Sequence, residues 1–263
     1  MKYLFIFLIL LLVKSSWAQG GTLDSLSFQN LKLELYSNYE NIGTATGFVI
    51  EKNHKYYLIT NLHVVSGVDY FSQATIDPQL RKPNIIAIWH NAQVLGNWTR
   101  IAENLYDSNN NKQWIECSVA DKILDLVALP LKNTPKEVKL YPFHLNQYNE
   151  NIIILPGFAL SIIGFPFGLS SDGELAIWKT GHLASDFDID ANGLPLFMID
   201  ATTRPGMSGS IVVLRMSPYL EKDGTHSGIG TRFLGIYTAQ SNLEEIGFVL
   251  KPIALKLLFD KLP

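Results

Sequence analysis

His63, Asp125 and Ser208 are the residues whose types and settings could do chemistry together. His63 stands three positions beyond the apolar stretch Tyr57-Leu-Ile-Thr60, Asp125 leads directly into Leu-Val-Ala-Leu129, and Ser208 lies between Gly206 and Gly209 just before Ile-Val-Val213. This trio suits nucleophilic acyl transfer. A serine hydroxyl is a weak nucleophile at neutral pH and needs a base to take its proton. Histidine can take it near pH 7 and return it to the leaving group. A buried carboxylate selects the tautomer of the imidazole and stabilises the imidazolium. Glycines beside the serine let the backbone turn so that N–H groups converge on one spot. Such donors to a developing oxyanion contribute roughly 2.7–4 kcal/mol each.

Each candidate has a rival. Six histidines are present, and His63 is singled out by its place after the Leu-Ile-Thr strand. Asp121 precedes Lys122 and is read as facing water, whereas Asp125 enters an apolar stretch. Ser210 lacks the flanking glycines of Ser208. Chain order separates the possible scaffolds. An α/β-hydrolase runs Ser, acid, His on a G-x-S-x-G elbow, but position 210 is Ser. A subtilisin-type order runs Asp, His, Ser. The order His63, Asp125, Ser208 fits only the chymotrypsin type.

The elements that must position these residues read as mostly β. Short runs rich in Val, Ile, Phe and Tyr recur: 46–50, 56–60, 85–89, 124–129, 152–155, 160–163, 211–214, 233–237 and 247–250. Turn signals such as Glu51-Lys-Asn-His54 and Ser171-Asp-Gly173 separate them. No long amphipathic helices alternate with the runs, which argues against a βαβ architecture. Two helical segments are expected, a short turn at 63–66 and Pro252 to Lys261, where proline at the first position loses no hydrogen bond. The polar stretch 132–150 is the candidate linker between two all-β halves, and a site between the halves would take residues from both.

With these stretches in view, the chain resembles the trypsin-like serine peptidases of the chymotrypsin fold. It is nearest to the bacterial Deg-type and glutamyl-endopeptidase-like branch, without a PDZ domain. The matching pieces run in family order: Thr46-Gly-Phe, Leu58-Ile-Thr-Asn-Leu-His63-Val-Val, Leu124-Asp125-Leu-Val-Ala-Leu, Ile162-Ile-Gly-Phe-Pro-Phe-Gly168, Lys179 to Ser185, Asp200 to Val212, Leu234 to Ala239 and Ile246 to Leu250. The resemblance implies an all-β fold of two six-stranded antiparallel β-barrels with a C-terminal helix. Residues 19–140 would form the first barrel and 141–263 the second. It implies Ser208 as nucleophile, His63 as general base, Asp125 as orienting carboxylate, and the Gly206 and Ser208 amides as oxyanion hole. Tyr237, Thr238 and Ala239 would lie beside the substrate backbone, pairing with it as an added strand. Thr202, six before Ser208, would sit at the base of the specificity pocket, where trypsin-type cleavage needs an acid. His182 is read as an ordinary strand histidine near that pocket, with contact to an acidic P1 side chain as the alternative. The pattern departs from the Deg-type at Met207, where asparagine is usual, and at Gly209-Ser210, where two glycines are usual.

Composition bounds the rest. The chain has 263 residues, is 47% hydrophobic and carries 21 basic against 24 acidic residues. No basic patch dominates, so nucleic acid is not an expected partner. Cys117 is the single cysteine, which excludes an intrachain disulfide and a Cys-rich zinc site. It is read as a half-buried small residue. Asp186, Asp188 and Asp190 are read as a solvated face rather than a calcium site. No metal or cofactor is expected. Lys2, the eleven apolar residues Tyr3 to Val13 and Ser16-Trp-Ala18 read as a cleaved signal peptide. Eleven helical residues span roughly 16 Å against about 30 Å of hydrocarbon, too short for an anchor. Cleavage removes two lysines, leaving 19 basic against 24 acidic residues, a charge of −5. The expectation is an exported bacterial protein, periplasmic or secreted, acting on protein or peptide without stable membrane insertion. Its oligomeric state is not legible. A catalytically silent binding module on the same fold is the competing reading.

Overall fold

A computed structural model describes residues 23–240 and 245–263. The expected signal peptide lies outside the described residues. The first half opens with helix α1 (Ser25–Gln29) and strand β1 (Asn30–Ser37). It continues through β2 (Glu40–Lys52), β3 (Lys55–Thr60), α2 (Leu62–Ser66), β4 (Ile85–Asn91), β5 (Trp98–Asn104), β6 (Ile115–Val119) and β7 (Lys122–Pro130). These strands form one antiparallel sheet in the order β5-β4-β1-β2-β3-β7-β6.

The second half contains β8 (Ala159–Gly164), β9 (Ile177–Leu183), β10 (Leu196–Asp200), β11 (Ile211–Met216), β12 (Tyr219–Glu221), β13 (Gly224–His226), β14 (Gly230–Gln240) and β15 (Ile246–Leu250). Six of them close a barrel in the order β10-β15-β14-β11-β8-β9, and β12 and β13 form a separate hairpin. Helix α3 (Pro252–Lys261) ends the chain at the bounds its sequence predicts. The fold is the all-β, double-barrel chymotrypsin type, with seven strands rather than six in the first sheet. Among the described residues no helix is long and apolar enough to cross a membrane.

Local chemistry explains the elements. The β2–β3 turn puts Asn53 and His54 at φ 53° and 60°, a pair of left-handed residues that matches strand twist in a tight hairpin. Strand β1 escapes a search for apolar runs because Lys32 and Glu34 alternate with Leu31, Leu33 and Leu35. That alternation is itself the signature of a strand with one buried face. The apolar run 152–155 is not a strand. Ile152 is buried, yet Pro156 and Gly157 follow at once, and the segment is held by single bonds, the Ile153 amide on the Leu220 carbonyl at 2.8 Å and Arg232 on the Ile152 carbonyl, rather than by a ladder.

Each half has its own apolar cluster, and a third spans both. Phe48, Ile59 and Leu126 of the first sheet share it with Phe165, Ile211 and Val213 of the barrel and with Leu255 and Leu258 of α3. Residues 131–158 join the halves without a strand. Lys52 of β2 donates to the Phe259 carbonyl at 2.8 Å, satisfying an open end of α3 from the opposite half. The shared core fixes the two halves against each other, and the site forms along their seam.

Candidate active site

Three short pieces of chain meet at the seam. The buried strand β3 ends at Thr60, and α2 begins two residues later at Leu62, with Asn61 between them as its cap. The helix lasts five residues because Gly67 adopts φ 69°, a left-handed conformation that closes it. His63 is thereby held at the start of one turn. The Asn61 side-chain Nδ2 donates to the Asp125 backbone carbonyl at 2.7 Å, tying the start of α2 to β7. Ser208 lies in the turn between β10 and β11, where Gly206 and Gly209 take φ 96° and 88°. At Gly209 a side chain would force the backbone to shift, since its Cβ would lie 2.0 Å from the Thr46 carbonyl oxygen.

The three predicted side chains form a line. Asp125 Oδ2 is 2.7 Å from His63 Nδ1, and His63 Nε2 is 2.8 Å from Ser208 Oγ. With Nδ1–H donating to the carboxylate, Nε2 is left as acceptor for the Ser208 hydroxyl. Asp125 is 1% exposed and accepts further from the His63 amide at 2.9 Å and from the Thr238 hydroxyl. Such bonds are what allow a carboxylate to remain buried. Burial acts to raise the Asp125 pKa, but the charge and hydrogen bonds of His63 and the Thr238 hydroxyl outweigh it and hold it below the ordinary value. Burial acts to lower the His63 pKa, but Asp125 by charge and hydrogen bond, with the charge of Asp69, outweighs it and holds it above 6.5. The Ser208 hydroxyl is also 3.3 Å from the Thr238 carbonyl.

A cleft of about 380 Å³ opens over this line, with walls from both halves. Thr44, His63, Asp69 and Arg81 come from the first half; Thr203, Gly206, Ser208 and Tyr237 to Gln240 come from the second. The Gly206 and Ser208 amides donate to no protein acceptor among the described residues. Tyr237, Thr238 and Ala239 line the cleft as their sequence positions suggest.

Two positions do not. Thr202 is outside the lining, and its hydroxyl donates to Glu245 at 2.9 Å. The next residue, Thr203, lines the cleft: it is 1% exposed and bonds the Tyr237 hydroxyl at 2.6 Å and Gln240 Oε1 at 3.0 Å. Burial pushes the Tyr237 phenol up to about 12, so it stays protonated. His182 is exposed on β9 between buried Gly181 and Leu183 and does not reach the cleft. Strand alternation sends it outward.

Met207 is fully buried in the apolar cluster of the second half. Cys117 is buried rather than half-buried, and burial pushes its thiol up to about 11, far from a reactive thiolate. Asp190 pairs with Lys251 at 2.6 Å. Thr46 and Thr203 were not legible as site residues. Thr46 precedes the Gly-Phe pair of a matching stretch, and Thr203 is the direct neighbour of Thr202, so motif proximity was the only available signal.

No curated protein matches the chain. A serine endoprotease of Yersinia pestis is similar in structure at a TM-score of 0.48 and 17% identity, over 89% of this chain and 64% of that one. The chain thus spans under two thirds of the Yersinia protein. Rv3671c of M. tuberculosis H37Rv, in an inactive form, gives a TM-score of 0.47 and 16% identity over 90% of this chain and 87% of that one. The family model of the trypsin-like peptidase domain matches residues 45–216, a span that contains His63, Asp125 and Ser208. The chain belongs to the trypsin-like peptidase domain family.

Proposed function

We propose that the protein is an exported serine endopeptidase that cleaves peptide bonds through an acyl-enzyme on Ser208. The observation that carries this reading is the Asp125–His63–Ser208 line, at 2.7 and 2.8 Å, beneath an open cleft. His63 Nε2 takes the Ser208 proton as Oγ attacks the scissile carbonyl carbon. The carbonyl oxygen becomes an oxyanion facing the undonated Gly206 and Ser208 amides. The imidazolium stays paired with Asp125 and gives the proton to the leaving amine. Water then enters, loses a proton to His63, and attacks the ester. Collapse of the second tetrahedral species frees the carboxylic acid and restores Ser208.

Tyr237, Thr238 and Ala239 receive the substrate backbone in this reading, with Thr203 and Gln240 beside the P1 side chain. None of these five carries a carboxylate, so cleavage after Lys or Arg is disfavoured. Export rests on the first eighteen residues of the sequence.

The test is labelling of residues 19–263 with a fluorophosphonate probe, beside Ser208→Ala and His63→Ala. Labelling of the wild type that both substitutions abolish is the expected result. A folded wild type that does not label, and cleaves nothing in a peptide library, sinks the reading.

A further inference from the structure

The oxyanion turn is built from glycine and yet is held in one conformation. Gly206 at φ 96° has no side chain to fix its peptide planes. In a trans peptide the C=O of one residue and the N–H of the next point in opposite directions. The aim of the Gly206 and Ser208 amides therefore depends on what holds the carbonyls of Pro205 and Met207. Neighbouring chain holds both. The Phe167 amide donates to the Pro205 carbonyl at 2.6 Å, and the Ser210 amide donates to the Met207 carbonyl at 3.0 Å. The peptide between them is held as well: the Thr46 hydroxyl donates to the Gly206 carbonyl at 2.8 Å. The Thr46 amide donates to the Ser208 carbonyl at 2.9 Å.

Thr46 is fully buried, and its Oγ1 also accepts the Phe165 amide at 3.1 Å. That second bond leaves the hydroxyl hydrogen for Gly206. One side chain of β2 thus joins the oxyanion turn to the bend 165–168, which itself braces Pro205. Phe167 adopts φ 54° in that bend, presenting its amide to Pro205 while its ring is exposed.

We propose that Thr46 is a positioning residue for the hydrolysis, a strut from the first half whose hydroxyl keeps the oxyanion donors aimed into the cleft before substrate binds. The inference rests on the peptidase reading above and goes beyond it, because it makes the hole preformed.

The experiment compares wild type, Thr46→Val, Thr46→Ser and Thr46→Cys, each checked for folding by circular dichroism and melting. kcat and KM are measured on the best peptide of a library. The same peptide as an aldehyde, whose adduct with Ser208 carries the oxyanion, gives a second affinity. Loss of one oxyanion donor lowers kcat by about 10²–10³-fold. Misaiming one should cost at least about tenfold, with KM unchanged and aldehyde affinity reduced in parallel. Thr46→Ser should restore the rate. If Thr46→Val does not fold, Thr46→Cys, a weak donor of similar size, should fall below Thr46→Ser in kcat and aldehyde affinity. An active wild type whose folded Thr46→Val or Thr46→Cys variant keeps kcat and aldehyde affinity overturns the inference alone, as does a loss that Thr46→Ser does not restore. A wild type that neither labels nor cleaves overturns the peptidase reading and the inference with it.

Discussion

Asp125 grips His63 at two points, its ring and its backbone. Oδ2 meets Nδ1 at 2.7 Å, and Oδ1 accepts the His63 amide at 2.9 Å. The same carboxylate therefore orients the imidazole and anchors the start of α2, a helix too short to hold itself. Thr238 adds its hydroxyl from the opposite half. The carboxylate is thus a joint between the halves as well as a partner of the base.

Replacing that carboxylate should separate the two roles. Asp125→Asn keeps the shape but removes the charge, and the amide can settle the imidazole in the wrong tautomer. kcat should fall about 10⁴-fold. Steady-state kinetics on a peptide ester checks this; a loss of under tenfold would remove Asp125 from the mechanism.

The acid limb of the activity profile should lie above pH 6.5. His63 must be neutral to act as base, its pKa is held above 6.5, and activity therefore appears as pH rises through that raised value. Asp69 contributes to the shift by charge alone. Asp69→Asn retains an oxygen for the Ser72 amide and hydroxyl, which both bond Asp69 Oδ1. It should move the limb to lower pH with a similar plateau. A limb that stays in place, measured as kcat/KM against pH, would show that Asp69 does not act on His63.

Gly209→Ala should cost stability as well as activity. The residue sits at φ 88°, and an added Cβ would lie 2.0 Å from the Thr46 carbonyl. Left-handed strain alone costs about 1–2 kcal/mol, and the backbone clash adds to it. Urea unfolding should show a loss of at least about 2 kcal/mol. An unchanged midpoint would mean that the turn before β11 is not packed as described.

His90 should make the fold acid-sensitive away from the site. It is 2% exposed on β4, its Nδ1 has no partner among the described residues, and burial pushes its pKa down to about 4. The unfolded chain binds this proton near pH 6.5 and the folded chain only near 4. Stability is therefore lost as pH falls through that window, on the order of 3 kcal/mol in full. Unfolding at pH 7 and pH 4.5 should show a smaller drop for His90→Gln than for wild type. Equal drops would assign the sensitivity elsewhere.

The sequence by itself determined the types, the order and the local settings. A serine between glycines, a histidine just past a buried strand and an acid opening another are local patterns, as is proline at the head of α3. Local rules suffice there because each depends on neighbours within a few residues. Tertiary structure decided what spans the seam. His63 and Ser208 are 145 residues apart in sequence, and Thr46 and Gly206 are 160 apart. No periodicity reveals that a threonine hydroxyl of β2 will meet that one carbonyl. The choice of Thr203 over Thr202 was decided in the loop after β10, where Thr202 turns to Glu245 and Thr203 to Tyr237, and the outward face of His182 was decided by register. In a pleated strand neighbouring side chains point to opposite faces, so one step in register moves a side chain out of the cleft.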